Sequence, residues 1–175
     1  LRLPYMESAA RKALGVLGVE VVEIPNASCC GDPISFRSLD EEAWIAVAAR
    51  NLSLAEETGK NVLTLCSGCY ETLKTVNATL KGNAQLRERV NKALSEVGRE
   101  FRGTVEVKNL LEVLQQIGAD RVRARVVRPL KGLRVAVHYG CHLLRPGDVI
   151  KFDDPMRPVV LDQFVELTGA ESVPY

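Results

Sequence analysis

Residues 61–73 read NVLTLCSGCYETL, and this stretch decides the fold. NVLTL is a short apolar run of strand type. It ends on Cys66, and Ser67-Gly68 turns the chain into a helix. That helix carries Cys69 in its first turn and Leu73, Val76 and Leu80 at inward spacing. A strand that passes the chain straight to a helix is the building unit of a parallel sheet. Upstream, VEVVEI at 19–24 is another strand-like run, after Gly18 and a helical pattern over 6–17. It leads into NASCCGDP at 26–33, which holds Cys29 and Cys30. A long helix over 39–58 follows, opened by the capping box Ser38-x-x-Glu41 and stopped by Gly59. Trp44, Val47, Ala48, Asn51 and Ala55 fall on its one face, which can cover a sheet.

Downstream, Leu86, Val90, Leu94, Val97 and Phe101 mark an amphipathic helix. TVEV at 104–107 is a third strand, LLEVLQQI at 110–117 a helix, and 119–128 a short basic helix closed by Pro129. LRVAVHY at 133–139 is the fourth strand and ends at Gly140-Cys141; a helix over 158–168 and a last strand, ESVPY, complete the chain. The alternation predicts an α/β class: a mostly parallel sheet with helices on both faces, in a Rossmann or flavodoxin-like three-layer arrangement. In such sheets the carboxyl ends of the strands share one edge, where ligands bind. Cys29–Cys30, Cys66 and Cys141 each lie just beyond a strand, so residues spread over 112 positions are expected to converge.

The 175 residues suffice for one domain, or one and part of another. With 23 basic and 22 acidic residues the net charge is +1, so no global field recruits nucleic acid or a membrane surface. No apolar run approaches the roughly 18–20 residues of a membrane span, and LRLPYMESAARK lacks the layout of a secretory signal. A cytoplasmic location is expected. There, five cysteines read as metal ligands or redox groups before structural disulfides. The chain opens on Leu1 and closes on SVPY, so a piece of a longer protein is expected.

Four chemistries compete for the cysteines. Cys29–Cys30 could form only a strained disulfide ring. Cys66–Cys69 could be a redox dithiol, its pKa lowered by a helix N-terminus, but that leaves the CC pair unexplained. Zinc takes four thiolates and commonly a CxxC; its other half is normally a second CxxC, because adjacent extended residues point apart. A multi-iron cluster is wider than one ion and can accept neighbouring thiolates on different irons. The plain alternative is a set of small buried hydrophobes. Spacing leaves zinc and iron–sulfur both open.

CCGDP, with 35 residues between Cys30 and Cys66, and then CSGC resembles the CCG-domain pattern found in the B-type subunit of heterodisulfide reductase. Relatives with this pattern include subunits of glycolate oxidase and anaerobic glycerol-3-phosphate dehydrogenase. SFRSLDEEAWIAVAARNLSLAEETGKNVLTLCSGCYETLK at 35–74 and VAVHYGCHLLRP at 135–146 are similar to the reductase branch. The resemblance implies two CCG copies per polypeptide, each holding a non-cubane 4Fe–4S cluster through five cysteines. Cys29, Cys30, Cys66 and Cys69 match four ligands of the first copy, whose leading cysteine has no counterpart. Cys141 opens the second copy. The implied division is a first CCG domain over 1–132 and the start of a second over 133–175. Around Gly18 and Gly169, LGVLGVEVVEIP and VELTGAESVPY align with each other, in keeping with duplication.

The resemblance further implies a catalytic subunit that reduces a disulfide, such as that of coenzyme M and coenzyme B. Electrons would come from a flavin-containing subunit through a ferredoxin-like one, and the 175 residues alone would be inactive. The alternatives are a zinc-binding or metal-free interaction module, or an electron-transfer subunit of a glycolate, lactate or glycerol-3-phosphate oxidising complex. His142 is the candidate to return a proton to a departing thiolate. Arg145 is the candidate to pair with a substrate phosphate or carboxylate. The plain readings are a loop histidine, for His138 as for His142, and a surface arginine. Arg121, Arg123, Arg125 and Arg128 read as a solvated face. Gly31, Gly68 and Gly140 are expected to let backbone approach the cysteines.

Overall fold

The computed structural model describes residues 4–175. In chain order the first elements are α1 (Pro4–Val16), α2 (Ser35–Leu39), α3 (Glu41–Glu57), β1 (Val62–Thr64), α4 (Ser67–Gly82) and α5 (Ala84–Ser95). They are followed by β2 (Val107–Asn109), α6 (Leu110–Ile117), α7 (Ala119–Arg123), β3 (Arg134–Ala136), α8 (Cys141–Leu144), α9 (Gly147–Ile150), α10 (Val160–Leu167) and β4 (Glu171–Val173). The chain is α/β, and both strand pairings are parallel. β1 pairs with β2, Val62 opposite Val107, and β3 pairs with β4, Arg134 opposite Glu171.

α3 and α4 are the centre of the molecule. Ala48, Ala49 and Leu52 of α3 and Tyr70, Val76 and Leu80 of α4 are fully buried, and Trp44 and Phe101 nearly so. Leu143, Leu144, Ile150, Phe152 and Val160 join the same core, so the stretch after Cys141 packs onto α4. No helix among the described residues is long and apolar enough to cross a membrane.

Three expectations are corrected. α3 is capped by Asp40, whose carboxylate accepts from Ala43 N at 2.9 Å. Ser38 is consumed by α2, and Glu41 pairs with Arg37 instead of closing a box. The third strand lies at 107–109 because side chains claim the backbone before it. Asn77 donates to Val105 O at 3.0 Å, and Asn61 accepts from Glu106 N at 2.9 Å.

VEVVEI at 19–24 pairs with no strand. Val19 N bonds back to Leu14 O, and Arg11 reaches Val21 O. Ion pairs Arg11–Glu23 and Lys60–Glu20 hold the segment at side-chain length from its neighbours. Between it and β1 lies a cavity of about 570 Å³, lined by residues 19–24, by 60–66 and by Cys69.

Candidate metal centre

All five cysteines are free thiols. Cys66 ends the segment after β1 with extended backbone and is the N-cap of α4, so Cys69 falls in that helix's first turn. The spacing of the CxxC is thereby set by helix geometry. Cys29 and Cys30 sit on a loop, and the loop is held by α3. Buried Asn51 donates from Nδ2 to Ser28 O at 3.1 Å and to Cys29 O at 3.3 Å, while its Oδ1 accepts from Ser28 N at 3.0 Å. Arg50 adds a bond to Asn26 O at 3.2 Å. Asp32 closes the far side, accepting from Ile34 N and from the Ser35 backbone and hydroxyl. Those bonds, the Ser35 hydroxyl first, keep its carboxyl below the usual range.

Between the two sides sits Gly31, at φ +87. A Cβ there would lie 3.0 Å from Phe36 Cδ1 and from Trp44 Cδ1. The position therefore requires glycine twice over, for its left-handed backbone and for its lack of a side chain. Its carbonyl accepts from Thr72 Oγ1 at 3.1 Å and from Cys30 Sγ at 3.6 Å, which ties loop to α4.

Cys69 follows the α4 N-cap Cys66 by three residues and packs against the core cluster that holds Cys30. The neighbouring Cys30 thiol is the first cause that pushes the Cys69 thiol up, followed by burial, while Cys66 works against them. Cys29, Cys66 and Cys141 are exposed and Cys30 is buried. Gly140, next to Cys141, comes within 3.4 Å of Ser67 Oγ, measured from the Cβ position it lacks. α8 thus starts beside the N-terminus of α4. Among the described residues no three His, Cys, Asp or Glu side chains converge on a single ion.

His142 stands on α8 with Nδ1 3.1 Å from Glu71 Oε2, close enough for an ion pair but without hydrogen-bond alignment. The Glu71 side chain is 7% exposed. Burial pushes its carboxyl up, and His142 and Arg37 oppose that. Arg145 is exposed and turned toward the 155–156 loop, donating to Pro155 O at 3.4 Å. His138 packs on Tyr175, ring centroids 4.9 Å apart. Arg121, Arg123, Arg125 and Arg128 are exposed.

Of the sequence candidates, then, Cys30, Cys66 and Cys69 are neighbours near the start of α4, and Cys141 and His142 lie alongside on the helix packed against α4. Arg145 is exposed beside the 155–156 loop. Glu71, Arg37 and the clamp residue Asn51 belong to the site without being marked as such by any motif. Glu71 follows Cys69 by two positions, and that proximity is the one cue the sequence holds.

The donor set has the chemistry that iron–sulfur groups and zinc both take. It is made of soft thiols, gathered from a loop and a helix start and free of disulfides.

Residues 2–74 match the model of the CCG cysteine-rich domain. Over 175 residues the chain is 40% identical to the B-type subunit of the ferredoxin/F420H2-dependent CoB-CoM heterodisulfide reductase of Methanosarcina acetivorans. The match takes in 99% of this chain and 58% of that protein. In Archaeoglobus profundus, a protein resembling the same heterodisulfide reductase component is 34% identical over 98% of this chain, again 58% of the relative. The chain is 38% identical over 91% of its length to the membrane anchor subunit of the 8-methylmenaquinol:fumarate reductase of Wolinella succinogenes, 55% of which is matched. The chain therefore spans somewhat over half the length of these relatives.

Proposed function

We propose that this chain, which belongs to the CCG cysteine-rich domain family through residues 2–74, is the cluster-bearing part of an iron–sulfur subunit that reduces disulfides. The observation that carries this reading is that Cys69, on the helix start that Cys66 caps, packs against the cluster holding Cys30 from a loop far off in sequence, with every thiol free. Cys29, Cys30, Cys66 and Cys69 would hold the group. A non-cubane 4Fe–4S cluster would supply electrons there and an iron open to a substrate sulfur.

The chain's own residues do the remaining work. The loop and the first turn of α4 fix the thiolate positions, and core packing behind Cys30 keeps water from that side. Cys141 opens a second ligand set, in a second domain that begins at 133 after a first over 1–132. His142 has Nδ1 turned to Glu71, so a proton for a leaving thiolate would pass through Nε2. Arg145, exposed at the end of α8, would draw in an anionic substrate group.

The substrate class is a thiol–thiol mixed disulfide of the coenzyme M–coenzyme B kind, and the partners are a ferredoxin-like and a flavin-containing subunit in the cytoplasm. The likeness to a fumarate reductase subunit supports a second reading, in which the same site relays electrons in a different respiratory complex.

Anaerobic purification of the complete protein, followed by metal, sulfide and turnover measurements, tests the proposal. Iron and labile sulfide in equal amounts, with thiol release from a disulfide, are expected. Stoichiometric zinc without iron or sulfide would sink it.

A further inference from the structure

Trp44 is the chain's single tryptophan. It is 1% exposed, and its indole N–H has no hydrogen-bond partner. A buried donor left without a protein acceptor is uncommon and calls for an explanation.

The direction of that donor can be read from its neighbour. In the indole ring Cδ1 is bonded to Nε1, and Cδ1 is the atom a side chain at position 31 would strike, at 3.0 Å. The pyrrole edge of Trp44 therefore faces the backbone of the Cys30–Gly31 loop. Arg37 covers the ring face, its guanidinium carbon 4.8 Å from the centroid. Two oxygens beside that loop are already engaged. Gly31 O takes Thr72 and Cys30, and Asn51 Oδ1 takes Ser28.

The sulfur of Cys30, on that same loop, lies in one core cluster with Trp44. As a thiol, Cys30 spends its proton on Gly31 O at 3.6 Å. With a metal in place of that proton, the sulfur can only accept. It is 6% exposed, so water is poorly placed to supply the donor. A buried thiolate and a buried unpaired N–H on adjoining groups have complementary needs.

We propose that Trp44 Nε1–H donates a hydrogen bond to sulfur at the Cys30 side of the cluster site and thereby raises the reduction potential of the group held there. The proposal rests on the iron–sulfur reading above. Donors to cluster sulfur favour the reduced, more negative state, which is why they move potentials upward. Trp44 acts through the ligand and is a positioning residue, distinct from the groups that touch substrate.

Trp44→Phe keeps the aromatic filling and removes the N–H. In protein reconstituted anaerobically with ferrous iron and sulfide, the variant should hold as much iron and sulfide as the wild type. Its midpoint potential, read by spectroscopic redox titration, should shift to a more negative value. An unchanged potential with the cluster intact overturns the assignment.

Should the variant not fold, the wild type answers alone. The hydrogen-bond-sensitive indole band in ultraviolet resonance Raman belongs to this one residue. It should move from a free to a bonded position between metal-free and loaded protein, and a band that stays put overturns the proposal. Wild-type protein that takes up no iron and sulfide sinks the cluster reading itself, which the iron and sulfide counts report separately.

Discussion

The two cysteine pairs of the site are held by different physics. Cys66 and Cys69 ride on the start of α4, a 16-residue helix with a largely buried inner face, and their relative positions follow from helix geometry. Cys29 and Cys30 belong to a loop with no regular structure, positioned by side-chain bonds from α3, by one glycine and by Thr72. A helix start tolerates the loss of any one contact, because the backbone ladder persists. A loop of this kind concentrates its order in a few residues, and losing one should loosen both thiols at once.

The sharpest way to break this contrast is Gly31→Ala. It combines a left-handed backbone with a Cβ 3.0 Å from two aromatic atoms. A loss of about 2–4 kcal/mol is expected from strain and overpacking together, read by denaturant unfolding. Asn51→Ala comes next. It removes the bonds to Ser28 N, Ser28 O and Cys29 O, residues that water can reach, at a cost of about 1–2 kcal/mol. Alkylation of Cys30 should speed up in this variant, while Cys69 keeps its rate. Equal acceleration at both would mean that loop and helix are one cooperative unit.

Thr72→Val loses a single bond to Gly31 O and should cost about 1 kcal/mol. Asp40→Ala, at the N-cap of α3, should cost a similar ~1 kcal/mol. It should leave every thiol rate unchanged, since the cap lies well away along α3 from Asn51. Thermal unfolding and thiol labelling read both.

How far the sequence reveals this molecule varies by element. α4 follows from it directly, because apolar spacing and the SG turn after Cys66 agree with the buried face of the helix, and α6 spans the 110–117 run its apolar residues mark. The 19–24 segment shows the limit. VEVVEI has strand composition, and so does the ESV stretch at 171–173. Both come after a helix and a glycine with positive φ, Gly18 at +81 and Gly169 at +86. Only the second pairs, with β3. Composition favours a strand, but a ladder needs a neighbour within reach, and Arg11 and Lys60 hold the first segment across a cavity from β1.

The cysteines themselves are legible from spacing. Asn51, Glu71 and Arg37 are not, because polar residues on helices ordinarily face solvent and nothing local distinguishes the few that turn inward. Asn51 even falls on the sheet-covering face by its spacing, which is correct in direction and silent about the loop it holds.

The central claim is that a loop pair and a helix pair serve one cluster. Counting iron and labile sulfide in anaerobically reconstituted Cys30→Ser and Cys66→Ser variants tests it most directly. Each substitution, made on a different element, should lower both counts well below those of the wild type. Iron and sulfide retained in full by either variant would contradict the shared site.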